Sequence, residues 1–87
     1  MSKQLPKWFK GLAFDSGKSV TNPYSGESRE LDAVEFTVYA RIMNLQRDID
    51  RSGGVFNPQT APMQKEMSQC LGWFRNNNAD AYMALLD

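Results

Sequence analysis

The most constraining feature of this chain is an apolar stripe at helical spacing near its centre. Its members follow one another at steps of four, four, three and four residues: Val34, Val38, Ile42, Leu45 and Ile49. This spacing is typical of a helix that packs one face against a core. The sequence therefore predicts a mainly α-helical fold built around this segment.

Signals for both ends of this helix flank the stripe. The Asp32 side chain can accept a hydrogen bond from the Glu35 amide, while the Glu35 side chain returns to the Asp32 amide, which makes a capping box. At the other end, Gly53 and Gly54 can adopt the left-handed conformation with which helices commonly end. The first helix is therefore predicted over residues 32–51.

A second apolar stripe follows the loop over residues 52–61. Pro62 is tolerated in a first helical turn, because the N–H that it lacks would have no partner there. The loop is long enough for the second helix, predicted over residues 62–76, to fold back on the first as an antiparallel helical hairpin. The members of its stripe are Met63, Met67, Cys70, Leu71 and Phe74.

The last part of the chain predicts a short third helix over residues 79–86. The run from Asn76 to Asn78 interrupts the second helix, because asparagine tolerates the left-handed conformation at a helix end, and Asn78 can cap the next turn. A helix this short is unstable alone in water. We therefore expect its apolar face to dock on the helical hairpin or on a partner. That face consists of Tyr82, Leu85 and Leu86.

Residues 1–30 are rich in turn-forming residues and are predicted to form an irregular arm of turns and short extended pieces. Pro23 disfavours a helical conformation at Asn22, and the segment 22–25 suits a type I turn with proline at its second position. The chain thus divides into a basic and aromatic arm over residues 1–30 and a helical domain over residues 31–87. Together they are expected to form a single folding unit.

Composition argues against several classes of function. The 87-residue chain contains no histidine, which removes the usual general base and the commonest metal ligand. Its one cysteine, Cys70, cannot form an internal disulfide. The sequence shows no signal peptide and no apolar run long enough to span a bilayer, so a cytoplasmic protein without membrane contact is expected. We expect no enzymatic activity, no cofactor and no metal.

Three features have both a functional and a structural interpretation. Gly17-Lys18-Ser19 resembles part of a phosphate loop, but position 12, where that motif requires glycine, is leucine. Glu35 already has a role in the capping box, and Cys70 lies on an apolar stripe, where cysteine behaves as a small hydrophobe. The structural interpretation is favoured for all three.

The arm is also the basic part of the chain. Residues 1–20 contain four lysines and one aspartate. The cluster Lys7-Trp8-Phe9-Lys10 combines bases and aromatic rings, as single-strand binders do to pair with phosphates and stack on bases. Alternatively, the aromatic side chains cover the helices as a lid, which we favour because the core needs aromatic area. The candidate interaction residues are Lys7, Trp8, Phe9, Lys10, Phe14 and Tyr24, joined by Lys3 and Lys18 in the nucleic-acid alternative.

Two blocks of the sequence are distinctive. The first combines NPYSGE, residues 22–27, with Leu31 and EFTVYARI, residues 35–42. The second is GWFRNNNADAYMALLD, residues 72–87. Together they resemble a family of short proteins encoded by tailed bacteriophages, from which this chain differs by a longer loop between its two main helices. The resemblance implies a viral origin and a small accessory role.

The residues and the resemblance lead to one expected function and two alternatives. We expect a non-enzymatic accessory protein in the host cytoplasm that acts by protein–protein interaction, either with a host or viral protein or with a second copy of itself. The first alternative is a nucleic-acid-associated protein that uses its N-terminal arm. The second is a minor component of the virion.

Overall fold

The secondary structure of this chain is mainly helical, as predicted. The computed structural model describes residues 4–86. Three helices follow two short strands: β1 (Lys18–Thr21), β2 (Ser28–Leu31), α1 (Ala33–Arg51), α2 (Ala61–Asn77) and α3 (Ala79–Leu85).

Both ends of α1 lie where the sequence signals place them. The Glu35 N–H donates to Asp32 Oδ1 over 2.8 Å, and the Asp32 N–H donates to Glu35 Oε1 over 3.0 Å, so the predicted capping box is confirmed. At the C-terminal end, Gly53 and Gly54 have φ angles of 103° and 82°. The Gly54 N–H donates to the Ile49 carbonyl over 2.8 Å, which is the bond of a Schellman motif.

Replacing Asp32 by alanine tests this start of α1. We expect Asp32→Ala to lower the free energy of unfolding by about 1 kcal/mol, because the Glu35 amide loses its acceptor. Urea denaturation measures the loss. Asp50→Ala removes the same charge from the C-terminal end of the helix, where an acid opposes the helix dipole, and should leave stability unchanged or slightly higher. An Asp32→Ala protein as stable as the unmodified chain would contradict the cap.

The core forms where the three helices meet. Contacts join α1 to α2 and α2 to α3. Phe74 of α2 is the largest fully buried side chain. The short α3 therefore docks on the rest of the molecule, as its instability in isolation predicts. The remaining buried apolar members of the core cluster are Leu31, Val38, Ile42, Leu45, Cys70, Ala81, Ala84 and Leu85.

Two strands occupy part of the arm that the sequence predicts to be irregular. β1 and β2 pair antiparallel, with Lys18 opposite Leu31 and Thr21 opposite Ser28. The short extended pieces predicted in the arm are therefore present as strands, but the sequence does not predict their pairing into a hairpin. Each has only four residues, and Val20 and Leu31 are their only apolar members, so the alternation is too short to be recognised. The boundary predicted between residues 30 and 31 falls inside β2.

The loop over residues 22–27 joins the strands. The Gly26 N–H donates to the Asn22 carbonyl over 2.8 Å, and the Tyr24 N–H donates to Asn22 Oδ1 over 2.9 Å. Gly26 has a φ of 77°, which a glycine adopts without strain. The N–H that donates to the Asn22 carbonyl belongs to the fourth residue after it, whereas in a type I turn it belongs to the third. The turn predicted over residues 22–25 is therefore present, but it is wider than a type I turn.

Asn78 connects α2, α3 and the start of α1. Its N–H donates to the Phe74 carbonyl over 2.8 Å, and its Oδ1 accepts a hydrogen bond from the Ala81 N–H over 3.1 Å, which confirms the predicted cap of α3. Its Nδ2 donates to Glu35 Oε2 over 2.9 Å. Its φ is −154°, so the left-handed conformation predicted at this helix end is wrong. Three hydrogen bonds, rather than backbone handedness, define this junction.

The first described residues, 4–17, contain no helix or strand and lie against α1. The Phe14 N–H donates to Thr37 Oγ1 over 2.9 Å, and this hydroxyl donates to the Ala33 carbonyl over 2.7 Å. Thr37 is buried even though it is polar, because both of its hydrogen-bonding roles are filled. A single threonine thus anchors the arm to the first turn of the central helix.

Candidate functional site

An apolar groove lies between the loop of the β-hairpin, the middle of α1 and the end of α3. It encloses about 490 Å³, within the range of sites that hold a side chain or a small ligand. The polar side chains of Asn22 and Gln46 complete its wall. We name it the Tyr24 groove, and its apolar lining residues are Pro23, Tyr24, Tyr39, Met43, Leu85 and Leu86.

Asn22 holds the loop against α3 and so positions Tyr24 at the edge of the groove. Asn22 Nδ2 donates to the Ala84 carbonyl over 3.0 Å, while its Oδ1 accepts the Tyr24 N–H. Pro23 restricts the backbone between them. Tyr24 itself is 97 % exposed. The loop is thus fixed at its base while the ring lies in solvent.

The walls of the groove are uncharged and differ in stiffness. The Tyr39 ring packs on the core, with its centroid 6.4 Å from that of Phe74. A tyrosine phenol is already neutral at physiological pH, and burial raises the pKa of Tyr39 further above its ordinary value. Met43 is partly exposed and has a flexible thioether that adapts to different partners. The α1 wall of the groove therefore combines a rigid aromatic ring with an adaptable thioether.

A second concave site lies between the N-terminal arm and α2. It encloses about 360 Å³. We name it the Trp8 cleft, and it is lined by Trp8, Lys10, Pro62, Met63, Lys65, Glu66 and Gln69.

The acid in the Trp8 cleft is already paired. Arg41 of α1 holds Glu66 of α2 through two hydrogen bonds, Nε to Oε2 over 2.6 Å and Nη2 to Oε1 over 2.9 Å. These bonds lower the pKa of Glu66 below its ordinary value and raise that of Arg41. Glu66 thus stays ionised, but its charge is matched by Arg41.

Cys70 follows Glu66 by four residues on α2 and is fully buried. Burial, with the nearby Glu66 charge, raises the pKa of its thiol to about 11 from the ordinary 9.0. The thiolate is the reactive form of cysteine, and this shift leaves roughly a hundredfold less of it at neutral pH. The thiol therefore behaves as an apolar group of the core, as the sequence predicts.

We expect Cys70 to react with Ellman's reagent at pH 8 on the order of a hundredfold more slowly in the native protein than in guanidinium chloride. The reason is that the native thiol is both protonated and covered. Because the chain has one cysteine, the released chromophore reports this position alone. Similar rates in the two conditions would show that the thiol is accessible in the folded protein.

The other two features singled out by the sequence also have structural roles. Both oxygens of Glu35 accept hydrogen bonds, one from the Asp32 N–H and one from Asn78 Nδ2. Lys18 and Ser19 lie in β1 and pair with residues of β2, whereas a phosphate loop leads from a strand into a helix.

The predicted interaction residues do not form one site. Trp8 and Lys10 line the Trp8 cleft, and Tyr24 lines the Tyr24 groove. Lys7 is exposed and lines neither. Sequence reasoning missed Lys65, which α2 brings to the cleft.

The other arm residues contribute to the fold. Phe9 packs against the core together with Trp8, which is the arrangement expected of a lid. Phe14 is partly exposed and meets the Phe36 ring edge to face, with the centroids 4.9 Å apart. The Lys18 ammonium lies 5.9 Å from the centroid of the same Phe36 ring. Lys3 lies outside the described residues.

Several lining residues carried a weak signal in the sequence. Lys65 and Gln69 are four residues apart on α2, a spacing that places them on one face of a helix. Tyr39 and Met43 have the same spacing on α1. Spacing identifies a face but does not show which part of the arm or hairpin lies beside it.

Comparison of the chain with protein-family models, with curated proteins and with solved structures found no match. Within residues 4–86, no cluster of three or more histidine, cysteine or acidic side chains is placed to hold a metal ion. Over the same described range, none of the helices combines the length and the apolar character needed to cross a membrane.

Proposed function

We propose that this chain is a non-enzymatic accessory protein of a tailed bacteriophage that binds a host or viral protein in the host cytoplasm through the Tyr24 groove. The observation that carries the proposal is Tyr24, a 97 % exposed aromatic side chain at the edge of an apolar groove. Tyrosine is enriched among the residues that dominate binding energy at protein interfaces.

The shape of the groove supports a protein partner. A side chain that enters it meets the rigid Tyr39 ring and the adaptable Met43 beside it on α1, both without charge. A partner that covers Tyr24 would remove an exposed aromatic surface from water. Aromatic side chains bury about 150–250 Å² each. At 25 cal/mol/Å² this burial stabilises a complex by roughly 4–6 kcal/mol before the costs of association are subtracted. The loop needs little ordering, because Asn22 already fixes it to α3.

The reactive side chains inside the fold support a binding role rather than catalysis. Glu35 accepts hydrogen bonds from the Asp32 amide and the Asn78 side chain. Glu66 is paired with Arg41, and burial keeps the Cys70 thiol protonated. Each of these groups therefore already has a structural partner or environment.

We infer that the scaffold behind the groove is the antiparallel helical hairpin predicted for residues 32–51 and 62–76. Its support is the order of contacts. Glu35, early in α1, bonds to Asn78, just after α2, whereas Arg41, later in α1, bonds to Glu66, early in α2. Contacts that run in opposite directions along two helices are those of antiparallel neighbours.

The proposal is tested by capture from phage-infected bacteria with three tagged baits: the unmodified chain, Tyr24→Ala and Phe56→Ala. Phe56 is the matched control, because it is 95 % exposed but lies outside the groove. Both substitutions should leave the melting temperature unchanged, since neither side chain packs on the core. We expect one protein to bind the unmodified and Phe56→Ala baits and to be lost with Tyr24→Ala. A partner retained by Tyr24→Ala, or none at all, would contradict the proposal.

Two further measurements distinguish the kinds of partner. Light scattering during gel filtration would identify a second copy as the partner if the unmodified chain is dimeric and Tyr24→Ala is monomeric. Mass spectrometry of purified particles would show the chain to be a virion component if it is present in stoichiometric amounts. Turnover of a nucleotide or peptide substrate by the purified chain would overturn the non-enzymatic assignment.

A further inference from the structure

The charges around the Trp8 cleft favour an anionic ligand. Lys10 and Lys65 line the cleft, are exposed, and form no ion pair within residues 4–86. The one acid of the lining, Glu66, is neutralised by Arg41. Lys10 also acts on Glu66 through its charge. Because Arg41 is already paired with that acid, the two lysines leave the cleft with a net excess of positive charge in a chain whose net charge is zero.

The shape of the cleft favours an anion with a flat apolar part. Trp8 packs against the core on one side and lines the cleft on the other, so its ring is held in place before any ligand binds. Pro62 and Met63 extend this apolar wall. A fixed aromatic ring is a stacking platform, because little conformational freedom remains to be lost on binding. An inorganic anion or an acidic side chain would leave this surface unused.

The remaining polar group of the cleft suits the edge of a base. The Gln69 side chain has an amide that both donates and accepts hydrogen bonds, and the described structure gives it no partner. The volume of about 360 Å³ is at the small end of ligand sites and is suited to one base with its sugar and phosphate.

We infer that the Trp8 cleft binds a nucleotide unit, with the base stacked on Trp8 and the phosphate paired with Lys10 and Lys65. The unit is either part of a single strand of RNA or DNA or a free nucleotide, because both present a base joined through its sugar to a phosphate. The cleft is separate from the Tyr24 groove, so either proposal can fail without the other.

Fluorescence anisotropy of labelled dT12 and rU12 at 20–200 mM salt tests the cleft, with dTMP and UMP as competitors. We expect the slope of log K against log salt to include about −0.7 from the one phosphate that the two lysines neutralise on a single strand. Competition by the mononucleotides at micromolar concentration would assign the site to free nucleotides, and its absence would assign it to a strand. No binding of either kind at 20 mM salt would overturn the inference.

Matched variants assign the binding to the cleft. Lys10→Gln with Lys65→Gln should weaken binding at least tenfold and flatten the salt dependence. Arg51→Gln with Arg75→Gln removes the same charge from exposed positions outside the cleft and should change affinity less than twofold. Equal losses in the two pairs would mean that net charge, not the cleft, attracts the strand, and would contradict the inference.

The aromatic half of the site is tested with Trp8→Phe and Trp8→Leu. The phenylalanine variant keeps a ring and should bind within about fivefold of the unmodified chain, whereas the leucine variant should lose at least tenfold. Circular dichroism checks that both variants fold. If Trp8→Leu does not fold, the variant with Lys10→Gln and Lys65→Gln still tests the proposed site. Equal affinity of the two folded variants, or equally tight binding of a polyglutamate peptide, would show that the site recognises negative charge alone. Either result would overturn the assignment of the ligand as a nucleotide.

Discussion

Phe74→Ala should lower the free energy of unfolding by about 3–5 kcal/mol, the usual cost of removing a buried phenylalanine. Phe74 is fully buried and is the largest such side chain in the described chain. Its ring packs near that of Tyr39, and its carbonyl accepts the N–H of Asn78, so α2 contacts both α1 and the start of α3 at this residue. Removing the ring leaves a cavity at the centre of all three helices.

The size of the chain makes this loss decisive. Small domains are stable by only about 5–15 kcal/mol, and 1 kcal/mol shifts the melting temperature of a domain this size by ~4–8 °C. We therefore expect Phe74→Ala to melt at least about 12 °C lower and to unfold at a lower urea concentration. Phe56→Ala, the same change at an exposed position, should stay within ~0.5 kcal/mol of the unmodified chain. A loss below 1 kcal/mol at Phe74 would mean that this ring is not in the core.

The helices could be predicted because their signals are local. A capping box begins α1, two glycines of positive φ end it, and Asn78 caps α3. Each signal acts through hydrogen bonds between residues a few positions apart, so the sequence contains the whole interaction. The predicted range 32–51 differs from α1 by one residue at its start, and 62–76 differs from α2 by one residue at each end.

The β-hairpin could not be predicted because its support comes from the far end of the chain. Arg29 Nε in β2 bonds to Asp80 Oδ2 in α3 over 2.7 Å, and Asn22 bonds to the Ala84 carbonyl. Val20 adds packing against the core. A two-stranded hairpin is marginal alone in water, so the strands form where α3 supports them.

The candidate sites were recognisable only in part, for the same reason. The sequence singles out Trp8, Lys10 and Tyr24, because an aromatic or basic side chain has few structural roles within an arm of turns. Their neighbours could not, because the cleft joins the arm to Lys65 of α2 and the groove joins a hairpin loop to Leu86. A site assembled from distant segments requires the fold before its members can be grouped.

Gly17→Ala should destabilise the protein by about 3 kcal/mol, at the upper end of the usual cost of overpacking. A Cβ atom on Gly17 would collide with the Leu31 carbonyl oxygen and would lie 2.9 Å from the Cα atom of Asp32. Both are backbone atoms at the junction of β2 and α1, so no side-chain rotation relieves the clash. Either the arm moves away from the junction or the capping box shifts.

A second glycine gives the matched control of opposite sign. Gly72 lies within α2, and a Cβ there would meet nothing within 4 Å. Gly72→Ala should therefore stabilise the protein by about 1 kcal/mol, the difference in helix propensity. Urea denaturation of both variants measures the two effects. A Gly17→Ala protein as stable as the unmodified chain would contradict the close approach of Gly17 to this junction.

Hydrogen exchange in Gly17→Ala then shows how tightly the arm is coupled to the helices. The Phe14 amide reports the arm, because it bonds to Thr37, whereas the amide of the buried Val38 reports α1. If the arm is released alone, Phe14 should lose protection while Val38 keeps it. We expect both amides to lose protection together, because the clash falls on the residues that begin α1. Loss confined to Phe14 would instead make the arm a separate unit whose release separates Trp8 and Lys10 from the α2 side of the Trp8 cleft.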